Sequence, residues 1–310
     1  MSYRKYKLPA LLLIILILKF CSISPAGKSR SEPILYFACA DSNSTEKFVT
    51  DINNCNGQQV NLVIATHGWY EKEPWAEELA LAIKDKVDSE KWLCGWYDWR
   101  DQADVINPTN ATKYARDTAG PMLGERIVKL PGNFKHIHLI GHSAGSWVIS
   151  EAAKIISSKT DADIHLTFLD AYVPPFWEEN ELGNLNRDPN KIYWADHYYT
   201  HDFTLKTTEI ILTNAHNVNL TKVNPGVNNH KFPHYWYHAT VIGKYAKRRY
   251  KNKELYCSSG DIEYGFARGL EAGAEDWEKR TELKMANAPV ELKRPKKAFK
   301  LKLEELFKKH

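Results

Sequence analysis

The sequence shows no internal repeat, which excludes a repeat architecture, and its most apolar run, ALLLIILIL at residues 10–18, is too short to span a bilayer comfortably. Net charge is also scarce. The balance is only +4 over 310 residues, and much of the basic excess lies at the C-terminal end, so the body of the chain has no polyanion-binding character and nucleic acid is excluded as a partner. Cysteine is sparse at five residues, too few for a chain held together mainly by disulfides. The rest is ordinary globular composition, 43% apolar and 26% charged, enough for one large core.

Arg4, Lys5 and Lys7 precede the apolar run and Lys19 follows it. A basic segment before a short apolar core reads as an export signal over residues 1–26, with an uncleaved N-terminal anchor as the alternative. The expected location is therefore secreted, periplasmic or otherwise extracytoplasmic. Beyond the signal stand Cys39, Cys55, Cys94 and Cys257, an even set in an oxidising compartment. A Cys39–Cys55 bridge would close a short loop, whereas Cys94 lies in an apolar run and reads as a buried thiol. Asn43, Asn110 and Asn219 fit the glycosylation pattern, relevant in a eukaryotic source.

Short apolar runs alternate with amphipathic stretches: ILYFACA, NLVIATHG, a helical pattern over 75–87, WLCGWYDW, a second over 112–130, HIHLIGHS, a third over 144–157, then DIHLTFLD, KIYWADHYYTHD, EIILTNAHNV and a last helix over 233–248. Such alternation predicts an α/β fold, a mostly parallel central sheet with helices on both faces, spanning 33–250. Residues 251–310 form a C-terminal extension. Its last twenty residues carry eight Lys or Arg against three Glu, and Phe299, Leu301, Leu303, Leu306 and Phe307 can share one side of a short helix. Such a basic tail suits either a solvated appendage or peripheral contact with an anionic membrane surface.

In GHSAG, at the end of one strand and the start of a helix, Ser143 stands between Gly141 and Gly145. A sharp turn there lifts the hydroxyl above the sheet edge and aims the first amides of the helix at whatever it attacks. A serine nucleophile needs an imidazole to take its proton and a carboxylate to orient that imidazole, in the order serine, acid, histidine in folds of this kind. Asp170 ends DIHLTFLD, and His230 lies in NPGVNNHKFP before the last helix. Asp202 and Asp196 compete for the acid by position, and His234 competes for the base. The Trp69 amide, after His67-Gly68, and the Ala144 amide would form an oxyanion hole.

Beyond these residues, VIATHGW, GWYDWR, YARDTAGPMLGERI, GHSAG, FLDAYVPP, HYYTHD and NHKFPHYWYHATV together resemble the pancreatic-type lipase family of α/β-hydrolases, over residues 60–245. The resemblance implies Ser143, Asp170 and His230 as triad, with Trp69 and Ala144 as oxyanion donors. It also implies a small-molecule or lipid ester as substrate and no cofactor. The segment 214–229 before His230 is too short for a large helical lid, and no lipid-binding β-sandwich follows, so an esterase-like serine hydrolase is expected. Residues 173–190 remain able to cover the cleft from the other side. A catalytically silent binding protein on the same scaffold, or a serine peptidase or acyltransferase, is the competing reading.

His67 and His142 flank the serine at positions suited to packing or backbone bonds. No metal site is expected: His197 and His201 sit about 13 Å apart on a strand, too far to share an ion with Asp202. Tyr172, Phe176, Trp177, Trp194 and Tyr198 suit either an acyl pocket or ordinary core.

Overall fold

The computed structural model describes residues 30–39, 47–55, 59–185, 193–201, 206–226, 228–250, 253–258, 264–266 and 290–292. The expected export signal, Asn43, Asp202 and the basic tail residues 293–310 lie outside the described residues, as does the Cys257 side chain.

The apolar runs become strands β1 (Ile34–Phe37), β2 (Asn61–Thr66), β3 (Trp92–Asp98), β4 (His136–His142), β5 (Asp163–Leu169), β6 (Tyr193–Tyr199) and β7 (His216–Asn219). β8 (Lys244–Tyr250) and β9 (Lys253–Ser258) form a separate antiparallel pair, and β10 is Val290–Glu291. The main sheet has the order β1-β3-β2-β4-β5-β6-β7-β10. Only β1 runs antiparallel; all other neighbours are parallel.

Residues along one strand alternate between two cores, as a pleat with period two requires. Leu62 and Ile64 of β2 belong to one core, Val63 and Ala65 to the other. Over the first face lie α1 (Pro108–Tyr114), a π turn (Ala115–Ala119), α2 (Gly120–Val128) and α3 (Gly145–Lys159), packing Leu123, Ile127, Trp147 and Ile156. Over the second face lie α4 (Trp75–Lys84) and α5 (Phe232–Ile242), with Trp75, Leu79, Tyr235 and Trp236. Burial on both sides explains why β2 and β3 read as nearly unbroken apolar runs, each fully buried large aliphatic contributing about 1.5–3 kcal/mol. With helices on both faces and a serine turn between β4 and α3, the chain has the α/β-hydrolase fold.

Some elements differ from the periodicity reading. EIILTNAHNV yields only a four-residue strand, because the Asn217 side chain accepts from Leu212 N and donates to the Leu212 and Ala215 carbonyls, folding that stretch into a turn. The last helix stops at Ile242, where Gly243 adopts φ 86° and the chain turns into β8. The helical pattern over 112–130 is broken by the π turn. Two pieces of the C-terminal region pack on the domain: Phe266 is buried among the second-face core residues, and β10 extends the sheet beside β7. Near the N-terminus, Cys39 and Cys55 form a disulfide, their Cα atoms 5.0 Å apart, and Cys94 is a buried free thiol.

Candidate active site

Ser143 follows β4 directly and has φ 55°, a conformation L side chains rarely adopt. Its surroundings leave room for nothing larger. A Cβ on Gly145 would lie 2.4 Å from the His67 carbonyl oxygen, and one on Gly141 would lie 2.5 Å from the Gly145 carbonyl oxygen. One on Gly68 would lie 2.7 Å from the Ser143 Cβ. The turn is also hydrogen-bonded, with Ser143 N donating to Leu169 O at 2.9 Å and Tyr172 N donating to Ser143 O at 3.3 Å.

Asp170 follows β5 in a second left-handed turn, φ 48°, and its amide donates to Tyr198 O. The carboxylate is fully buried. Burial raises its pKa, opposed by hydrogen bonds from His230, the Thr200 amide and the Thr208 hydroxyl. Oδ1 accepts from Thr200 N at 2.9 Å, and Oδ2 accepts from His230 Nδ1 at 2.7 Å. His230 Nε2 then lies 3.0 Å from Ser143 Oγ, so the serine hydroxyl donates to a nitrogen whose lone pair is set by the opposite bond. The structure thus brings Ser143, His230 and Asp170 into one hydrogen-bonded chain.

The rivals stand elsewhere. His234 lies on α5, stacked on Trp75 at 4.7 Å and edge-on to His142 at 4.7 Å, so it is packed beneath the serine turn. Asp196 is buried within β6, its Oδ2 3.3 Å from His165, Trp194 and Tyr198. His197 Nε2 accepts the Ala171 amide and its Nδ1 bonds Asn217, bracing the turn that carries Asp170. Burial pushes that imidazole down to about 4. His201 instead pairs with Glu209 at 3.1 Å, so the two histidines serve separate contacts.

Beside the serine, the turn after β2 is held by His67. Its Nδ1–H donates to Gly68 O at 2.9 Å, its Nε2 accepts the Trp99 amide at 3.1 Å, and Asp98 lies 3.4 Å away. Among the described residues the Trp69 and Ala144 amides donate to no other protein group, leaving two N–H groups beside Ser143 for a ligand oxygen.

The loop after Asp170 is fastened down. Trp147 Nε1 donates to Tyr172 O at 2.8 Å, Arg116 lies over the Trp177 ring at 4.0 Å, and Gly183 N donates to Ser150 Oγ at 3.0 Å. Of the aromatic residues singled out in the sequence, Tyr172 and Trp177 belong to this loop, Trp194 is buried on β6, Tyr198 is second-face core, and Phe176 stands fully exposed with φ 71°.

Sequence reasoning missed the supports of His230. His142 Nε2 donates to the His230 carbonyl at 2.8 Å, and Thr200 Oγ1 donates to the Asn229 carbonyl at 2.8 Å. Lys231 Nζ pairs with Glu73 at 3.1 Å, linking the histidine loop to the segment after the β2 turn. No periodicity announces such bonds. The polar residues at the element ends were the only signal.

No family model and no curated relative matches the chain. Among solved structures, the poly(3-hydroxybutyrate) depolymerase LpqC from Bordetella parapertussis matches at 16% identity and TM-score 0.30, over 46% of this chain and 55% of that one. A thermophilic esterase from the planctomycete Thermogutta terrifontis matches at 12% identity and TM-score 0.32, over 56% and 67%. A ferulic acid esterase matches at 12% identity and TM-score 0.30, over 55% and 80%. The chain thus spans about half the length of the first of these. The fold assignment rests on this chain's own strand order and serine turn.

Proposed function

We propose that the chain is an exported serine hydrolase that cleaves carboxylic esters through Ser143, His230 and Asp170. The observation that carries this reading is the unbroken chain of bonds from Ser143 Oγ through His230 to Asp170, beside two amides with no acceptor among the described residues. In the first step Ser143 Oγ attacks the ester carbonyl carbon while its proton passes to His230 Nε2. The Trp69 and Ala144 amides hold the oxyanion, each worth roughly 3 kcal/mol by analogy with other serine hydrolases. The tetrahedral adduct collapses, His230 gives the proton to the leaving alcohol, and an acyl group remains on Ser143. Water, deprotonated by His230, then releases the acid. Asp170 keeps its charge and holds the Nδ1–H tautomer throughout.

The resemblance to pancreatic-type lipases supports an ester rather than an amide as substrate. The fastened loop 172–183 supports an esterase profile, since closure over the cleft would break the Trp147, Arg116 and Ser150 contacts together. The Cys39–Cys55 disulfide supports an oxidising compartment. The basic tail is assigned peripheral contact with anionic lipid, each lysine near the surface contributing about 1 kcal/mol.

A fluorophosphonate probe tests the chemistry. It should label wild-type protein at Ser143 and leave Ser143→Ala unlabelled, and wild-type protein should turn over short and medium p-nitrophenyl esters. A folded wild type that neither labels nor hydrolyses these esters is a binding protein on this scaffold. Tributyrin hydrolysis measured across its solubility limit tests the esterase profile, which a steep rise at the limit overturns.

A further inference from the structure

Directly beneath the serine turn, Glu71, His142 and His234 converge from the loop after β2, the end of β4 and the first turn of α5. All three are buried, and one ligand atom of each lies within 4.8 Å of the others. We propose that they bind one divalent ion of zinc-like chemistry, and that this ion restrains His230. The binding claim stands on the cluster alone; the effect on His230 rests on the hydrolase reading.

His142 provides the strongest argument. Its Nε2–H is committed to the His230 carbonyl at 2.8 Å, so the lone pair lies on Nδ1, and that buried nitrogen has no hydrogen-bond partner. Metal-ligating histidines are set up in this way, with one nitrogen on the ion and the other N–H on a backbone carbonyl that fixes tautomer and ring plane. Glu71 is equally oriented, since its Oε1 accepts the Lys72 and Glu73 amides at 3.0 Å each. The His234 ring is held against Trp75 at 4.7 Å. Two imidazoles and one carboxylate with a fourth position left for water is a donor set that suits zinc.

Bonds of about 2.1 Å require tetrahedral donors about 3.4 Å apart, so the three groups must draw together, by up to about 1.4 Å per pair. The charged groups facing them are Lys231, 3.5 Å from Glu71 Oε1, and Glu73, 3.1 Å from Lys231. Lys231 already neutralises Glu71 in part. Ion binding must shift that ammonium fully onto Glu73. The inward pull on His142 is transmitted to His230, whose carbonyl it holds and whose ring lies 4.7 Å from its own. Contraction of the site therefore moves His230 Nε2 off Ser143 Oγ and slows attack.

Calorimetric titration of the intact protein with Zn²⁺, and with Co²⁺ followed by its visible absorption, tests binding. Wild type should take up one ion, give the intense bands of a tetrahedral Co²⁺ site and show a higher Tm with zinc. Since loss of an outer partner alone weakens metal sites by about 10–100-fold, Glu71→Gln and His234→Gln should each weaken binding by at least about 100-fold. Glu71→Gln keeps the side-chain shape and serves if His234→Gln fails to fold. Unchanged affinity in folded variants places the ion on other histidines and overturns the site, as does wild type that binds no ion. For the consequence, zinc should slow fluorophosphonate labelling of wild type and not of the variants. Binding without slowed labelling removes the restraint on His230. Protein that binds zinc but never labels refutes the hydrolase reading and leaves the site standing.

Discussion

Ser143 and His230 lie 3.0 Å apart, yet the chain holds them in unlike ways. The serine is trapped by contact: Gly68, Gly141 and Gly145 admit backbone approaches that no side chain would permit, and φ 55° is enforced from both sides. The histidine is suspended by polar bonds, from His142 to its own carbonyl, from Thr200 to the carbonyl before it, and from Lys231 to Glu73. Steric confinement here is contact between two short segments, 67–68 and 141–145, and is stiff. Hydrogen bonds of about 1 kcal/mol each reach across the fold and yield one at a time. Ser143 therefore belongs to a rigid scaffold, and His230 to an adjustable one.

Ser143→Ala separates the two most sharply. It removes the reacting atom and leaves the histidine supports in place, so kcat should fall by roughly four to six orders of magnitude while the thermal midpoint stays close to wild type. A large drop in the midpoint would mean that the serine hydroxyl also holds the turn. Asp170→Asn comes next, because it spoils the tautomer of His230 and costs up to about 10⁴ in kcat. Asp202→Asn should change kcat by less than about tenfold; a reversed ranking in steady-state assays would move the acid to the strand after.

Part of this contrast was legible in the sequence. GHSAG encodes a local steric constraint, so strand, turn and helix followed from a few letters, as did the alternation that made a parallel sheet buried on both faces. The serine–acid–histidine order pointed to Asp170 and His230, but the residues alone left Asp202, Asp196 and His234 open, because a long-range hydrogen bond leaves no period. His142 shows the limit most clearly. Read as suited to packing or backbone bonds but with no partner assigned, it joins one arm to the other across 88 residues of sequence. The shortened β7 and the strand added by β10 were equally hidden, one decided by an Asn217 side chain, the other by two residues returning from the C-terminal region.

Acid should weaken the fold that carries both arms. Burial pushes His197 and His238 down to about 4 and His136 to about 3, against an unfolded value near 6.5. Below pH ~6.5 the unfolded chain binds more protons than the folded one, so their stabilisation is complete above that pH and fades as pH falls toward 4 and 3. Each shift corresponds to on the order of 3 kcal/mol, and denaturant midpoints at pH 7, 5.5 and 4.5 should decline in that order. A flat profile would mean that these histidines are already charged in the fold. The smallest effect is that of Thr200→Val, which deletes the hydroxyl bond to the Asn229 carbonyl and keeps the Thr200 amide on Asp170. A loss of about 1 kcal/mol predicts kcat lower by roughly fivefold with KM unchanged. No change in kcat would show the histidine loop to be as rigid as the serine turn.

The Cys39–Cys55 disulfide lies far from this chemistry in kind, but it fixes what borders one edge of the sheet. β1 is only four residues long and forms one margin of the sheet, and the segment that the bridge tethers pairs Val49 with its Phe37. An open margin offers unpaired amides and carbonyls to any passing strand. Stitched in place, the 47–55 segment blunts the end of that margin and discourages strand-to-strand association. Reduction releases it, so the redox state of one bond bears on colloidal behaviour as well as on folding stability.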